Sequence, residues 1–120
     1  MDGHINESEY RFMDILWDEE PISSMELVRL CRERLGWKKS TTYTVIRNLS
    51  EKQAVINENA VVRALISKND VQRQESRDFL EKKFKGSLPA FIAAFLQEET
   101  LTKEEAEELQ KLIDCAVEEK

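Results

Sequence analysis

With 120 residues, the chain has room for one compact domain or a small domain with a helical appendage, since independent domains usually run to roughly 100–150 residues, and a large enzyme scaffold is excluded. Hydrophobic residues make up 41% and charged residues 35%, with only 3 Gly and 2 Pro; this supplies a core but too few breakers for a many-turned all-β fold, so a mainly α fold is expected. The formal net charge of −6 argues against a nucleic-acid partner only if it is spread evenly along the chain.

It is not spread evenly. Residues 1–28 carry eight acids against the single base Arg11, net −7; residues 29–77 carry eleven bases against five acids, net +6; residues 78–120 carry six bases against eleven acids, net −5. A basic middle between acidic ends suits a DNA-facing surface on an otherwise acidic protein, although a solvated mixed-charge face produces the same pattern. No run reaches the roughly 18 apolar residues of a membrane span, and the start (Met1, Asp2, Gly3, His4) has neither the basic nor the apolar region of a signal peptide. A cytoplasmic location without membrane insertion is expected.

Helix-start signals divide the chain, each a short polar cap followed three residues later by an acid that reaches back to it. Asn6 with Glu9 opens a first helix over about 7–19, with Tyr10, Met13, Ile15, Leu16 and Trp17 near helical spacing and Pro21 blocking continuation. Ser23 with Glu26 opens a second, bearing Met25, Leu27, Val28, Leu30, Cys31 and Leu35, and Gly36 is placed to end it. A third helix over about 39–52 contains β-branched residues that lower its propensity, so packing must hold it. At 100° per residue, Thr42, Val45, Ile46 and Leu49 share one side. Ser40, Thr44, Arg47 and Glu51 take the other, with Thr41, Tyr43 and Asn48 on the flanks.

Val55 and Ile56, then the polar Asn57, Glu58 and Asn59, then Val61 to Ile66 predict a small hairpin of two strands. Ser67 with Asp70 restarts helix to about Lys85, and Gly86 interrupts it. Ser87 and Pro89 fit the cap and first turn of a fifth helix through Phe91, Ile92, Phe95 and Leu96. Thr102 with Glu105 caps a sixth, whose Leu109, Leu112, Ile113, Ala116 and Val117 form a stripe.

Three helices and then a hairpin, with a positive middle, is the order of a winged helix-turn-helix, in which the third helix enters the major groove and the hairpin rests on the backbone. Arg47 can present its donor fork to a guanine edge, and Ser40, Thr41, Tyr43 and Thr44 can bond phosphates or bases or touch thymine methyls. Lys38 and Lys39 sit beside a helix N-terminus, where free N–H groups also favour phosphate. Arg63, the one base between 55 and 66, takes a phosphate or minor-groove role. A small helical domain with a solvated polar face would carry the same residues.

The segments INESEYRFMDILW at 5–17, PISSMELV at 21–28, GWKKSTTYTVIRNLSEKQAV at 36–55, and ALISKNDV and FLEKKFKGSLPAFIAAFL between 64 and 96 resemble, in order and spacing, the bacterial penicillinase and methicillin-resistance repressors. Copper-responsive operon repressors are among that family's relatives. The resemblance covers nearly the whole chain. It implies a homodimeric winged-helix repressor on a near-palindromic operator in double-stranded DNA, with residues 1–68 as the DNA-binding domain and the helices of 69–120 as the dimer interface. The apolar content agrees: Phe79, Leu80, Phe84, Leu88, Phe91, Ile92, Phe95, Leu96, Leu109, Leu112 and Ile113 exceed what three helices can bury among themselves. A twofold partner would cover them and set two third helices about one DNA turn, roughly 34 Å, apart. Folding of the stripe back onto the N-terminal domain is the alternative.

The resemblance also implies induction by a sensor-linked protease cutting an Asn-Phe bond in the dimerisation segment. The matching bond here is Ala94-Phe95, with the Phe but not the Asn. Copper sensing needs clustered thiolates, whereas Cys31 and Cys115 lie far apart and read as small apolar residues. His4 alone makes no zinc site, so neither metal nor cofactor is expected. Trp17 and Trp37 read as core and rim anchors of the DNA-binding domain. The acids between Glu98 and Glu108 read as a solvated helix surface. No Gly-rich phosphate loop, nucleophile elbow or base-nucleophile pairing is present, so the chain is not expected to be an enzyme. The competing reading from another class is a helical protein-interaction adaptor or antirepressor that does not read DNA sequence.

Overall fold

The computed structural model describes residues 4–117. Six helices and three short strands follow in the order α1 (Glu7–Glu19), β1 (Ile22–Ser23), α2 (Ser24–Leu35), α3 (Lys39–Glu51), β2 (Val55–Glu58), β3 (Val61–Ala64), α4 (Lys68–Phe84), α5 (Leu88–Phe95) and α6 (Lys103–Ala116). The chain divides into two compact units between Ser76 and Arg77, inside α4. The first unit is a winged helix.

Local chemistry explains where its helices begin and end. Asn6 and Glu9 form a reciprocal capping box, with the Glu9 N–H donating to Asn6 Oδ1 at 2.8 Å and the Asn6 N–H donating to Glu9 Oε1 at 3.0 Å. Glu9 is buried, and Lys52 at the end of α3 compensates its charge at 2.6 Å. Ser23 Oγ accepts from the Glu26 N–H at 3.1 Å and starts α2. Gly36 ends it with φ +71°, a left-handed conformation that costs a side-chain-bearing residue more than glycine.

The core gathers one face from each helix. Phe12, Met13 and Leu16 of α1, Leu27 and Cys31 of α2, Thr42 and Leu49 of α3, and Val55 and Val62 of the strands are fully buried. Trp37 stacks on Phe12 with ring centroids 6.5 Å apart, and the Trp17 Nε1–H donates to the Ile66 carbonyl at 3.0 Å, so both tryptophans anchor the edge of the core. Met25, grouped with the apolar residues of the second helix from sequence, is 78% exposed. It lies on the outer face of α2, with Arg29 and Arg32 one and two turns on.

The sheet differs from the expected two-stranded wing. The β2–β3 hairpin is present, but β1 pairs antiparallel with β3 to give the order β1-β3-β2, with Ile22 opposite Val62 and Ser23 opposite Val61. Two residues show no periodicity, so sequence gave no sign of β1. The hairpin turn is also shifted: the strands run on through Glu58, which faces Val61, and the turn is Asn59 and Ala60 at φ 52° and 63°. Positive φ at both central residues is the type I′ pattern that matches the twist of paired strands.

In the second unit, Ser87 Oγ caps α5 by accepting the Ala90 N–H at 3.1 Å, and Thr102 and Glu105 form a capping box at the start of α6. Gly86, at φ +81°, ends α4. Phe79, Phe84 and Phe91 pack mutually, with centroids 5.5–5.9 Å apart, and Phe95 joins Phe91 at 6.3 Å. Even so, neither α5 nor α6 has a buried residue. Leu88, Ile92, Phe95, Leu96, Leu109, Leu112 and Ile113 are all exposed.

Candidate nucleic-acid interface

The α2–α3 connection is short and fixed. The Gly36 N–H donates to the Arg32 carbonyl at 3.1 Å and the Trp37 N–H to the Cys31 carbonyl at 3.3 Å, so α3 begins directly after the turn. Lys38 is its N-cap and provides no side-chain cap. The N–H groups of the first turn therefore have no intrahelical acceptor and open outward, as they do at anion-binding helix starts.

Packing orients α3. Thr42, Val45, Ile46 and Leu49 are buried on the core side, and Lys38, Lys39, Ser40, Thr41, Thr44 and Arg47 are exposed on the other. Tyr43 is half-buried against the core, with the Lys39 ammonium 5.9 Å from its ring centroid, a cation–π arrangement that steadies the lysine. The helix thus presents hydroxyls, two lysines and an arginine on one surface, all fixed by the apolar opposite side.

Pairing of the remaining charges sharpens this surface. Arg29 is held by Glu26 and by Glu33; these bonds push the Arg29 pKa up and hold the Glu26 carboxyl below its ordinary range. Arg34 pairs with Glu19 at 3.6 Å, Lys52 with Glu9, Arg73 with Asp70 at 2.6 Å, and Lys68 with Asp14 at 3.0 Å, a bond that raises the Lys68 pKa. Among the described residues, Lys38, Lys39 and Arg47 have no carboxylate within ion-pair reach, and neither does Arg32. Most cations of the positive middle are therefore paired, and among the described residues of the first unit those that are not are Lys38, Lys39 and Arg47 on α3 and its N-cap and Arg32 in the last turn of α2.

Arg63 stands differently. It is exposed on β3 but bonds Glu58 of β2 at 3.2 Å, so a phosphate would have to compete with that carboxylate. Arg32 was not singled out from sequence, although the i, i+3 and i, i+4 spacing of Glu26, Arg29 and Glu33 was readable and leaves Arg32 without an acid. Cys31 is buried, and burial pushes its thiol pKa up, whereas Cys115 is exposed. Among the described residues no three His, Cys, Asp or Glu side chains gather to hold a metal ion, and no helix is long and apolar enough to cross a membrane.

Comparison with known proteins agrees with this geometry. The family model described as penicillinase repressor matches residues 5–115, from the first capping box to the last turn of α6. The chain belongs to the penicillinase repressor family. It is 25% identical over 114 residues to the methicillin resistance regulatory protein MecI of Staphylococcus aureus strain Mu50, covering 92% of this chain and 93% of that one. The penicillinase repressor of Bacillus licheniformis is 24% identical over 114 residues, covering 92% and 89%. The Staphylococcus aureus penicillinase repressor is 25% identical, covering 92% and 90%. Membership in this repressor family makes the winged helix that of a DNA-binding transcriptional regulator.

The remaining residues singled out from sequence lie in the second unit. Phe84 and Phe91 are half-buried within the phenylalanine cluster, and Phe79, Leu88, Ile92, Phe95, Leu96, Leu109, Leu112 and Ile113 keep exposed surface. Ala94 and Phe95 occupy the last turn of α5, where the Ala94 carbonyl accepts from the Leu96 N–H of the C-cap.

Proposed function

We propose that this penicillinase repressor family member represses transcription as a homodimer on a near-palindromic operator, each protomer laying α3 in the major groove of one half-site with the wing against the backbone. The observation that carries the reading is the surface of α3: hydroxyls and unpaired cations on one side, core packing on the other. Arg47 reads a base edge; Ser40, Thr41, Tyr43 and Thr44 bond bases and phosphates; Lys38 and Lys39 hold phosphates beside the uncapped N-terminus. Arg63 supplies a weaker wing contact, tempered by Glu58.

Exposed apolar side chains on α5 and α6 support the dimer. Apolar area withdrawn from water contributes about 25 cal/mol per Å², and a helical pair with no buried residue leaves most of that gain unrealised in the lone protomer. Severing Ala94-Phe95 by a sensor-linked protease would detach α6 from α5 and remove the avidity of two linked half-site contacts. That step supplies the proposed induction.

Genome-wide footprinting of the tagged protein recovers the operator, and titration of that site then tests the role of α3. Arg47→Ala costs about 1–3 kcal/mol and relaxes preference at one base position if the guanidinium reads a base. Unchanged affinity and unchanged site preference would remove Arg47 from the interface. Binding that ignores both sequence and salt would favour the adaptor reading instead.

A further inference from the structure

We propose that Arg32, on the scaffold helix α2 rather than on α3, is a further phosphate contact of the same duplex; the proposal rests on the DNA-binding reading above. Three observations support it. First, Arg32 lies in the last turn of α2: its carbonyl accepts the N–H of the C-cap Gly36 at 3.1 Å, and Lys38, the N-cap of α3, comes two residues after that glycine. Second, its neighbours on α2 are occupied, Arg29 by Glu26 and Glu33 and Arg34 by Glu19, which leaves Arg32 as the one arginine of α2 without a carboxylate among the described residues. Third, its direction is constrained. Arg34 turns toward Glu19 at the end of α1, and two residues of an α-helix differ by about 160° around the axis, so Arg32 leaves α2 on the side away from α1.

A solvent-exposed arginine with no internal partner contributes little to the fold. With Lys38 and Lys39 it makes unpaired cations on both sides of the α2–α3 turn, and its guanidinium can take a phosphate bidentately. A contact of this kind positions the protein on the duplex and carries no sequence information. It fixes how deeply the start of α3 sits in the groove.

The test compares wild type, Arg32→Gln, Arg32→Lys and Arg11→Gln on the footprinted operator and on an unrelated duplex across a salt series. Arg11→Gln makes the same one-unit charge change on α1. For Arg32→Gln, the slope of log affinity against log salt falls in magnitude by about 0.9. Affinity drops by the same factor on both duplexes, site preference is unchanged, and the melting temperature stays at the wild-type value. Arg32→Lys restores the slope, and Arg11→Gln leaves it unaltered. The inference is overturned if Arg32→Gln keeps the wild-type slope, or if Arg11→Gln lowers it equally. Wild type that binds neither duplex in a salt-dependent way would overturn the DNA-binding reading itself, and this proposal with it.

Discussion

Thr42 shows most directly how fold and site share residues. It is fully buried on the core side of α3, and its hydroxyl has no hydrogen-bond partner, with only the weakly bonding Cys31 thiol nearby. A buried unsatisfied hydroxyl costs about 1–3 kcal/mol, and valine keeps the branched shape without it. Thr42→Val is therefore expected to stabilise the protein by about 1 kcal/mol, read as a rise of several degrees in melting temperature, with operator affinity unchanged. A fall in melting temperature would mean that the hydroxyl is satisfied in solution. Helical periodicity placed Thr42 inward from sequence alone. Its lack of a partner was not legible there, because that depends on which atoms of α2 face it.

At the scale of elements, caps were the most legible feature. Asn6, Ser23, Ser87 and Thr102 each begin a helix in the structure as their spacing predicts, because capping is local and needs only three or four residues. Features that depend on distant segments were hidden: β1 exists because β3 pairs with it, and the ends of the hairpin are set by register rather than by composition. The turn places Ala60 at φ 63°, where its Cβ is strained and glycine is not. Ala60→Gly is expected to stabilise the wing by roughly 0.5–1 kcal/mol after the added flexibility of the unfolded chain is counted, measurable by chemical denaturation. On the same hairpin, Glu58→Gln releases Arg63. Exposed pairs are worth about 0–1 kcal/mol, so operator affinity in low salt rises by up to about fivefold. Weaker binding would show that Glu58 assists the wing instead.

For the whole molecule, charge and apolar surface are separated along the chain. The first unit ties most of its cations to carboxylates and leaves Arg32, Lys38, Lys39 and Arg47 available; the second keeps Leu88, Ile92 and Phe95 of α5 and Leu109, Leu112 and Ile113 of α6 exposed. Net charge concealed the first of these properties, because −6 for the chain includes a middle segment of +6. Which cations remain available depends on ion pairs between elements, such as Lys52 with Glu9 and Lys68 with Asp14, and no local pattern reveals those. The apolar excess of the second unit was legible from composition, since three helices have too little interior for so many large side chains. Linking two half-site contacts through one dimer converts the second binding step into an intramolecular one, worth roughly 10²–10⁴ in affinity. The most direct test is titration of the footprinted operator and of its isolated half-site, with stoichiometry read by sedimentation. Two protomers on the operator, and an affinity at least about 10²-fold weaker on the half-site, are expected; one protomer bound with equal affinity to both would contradict the account.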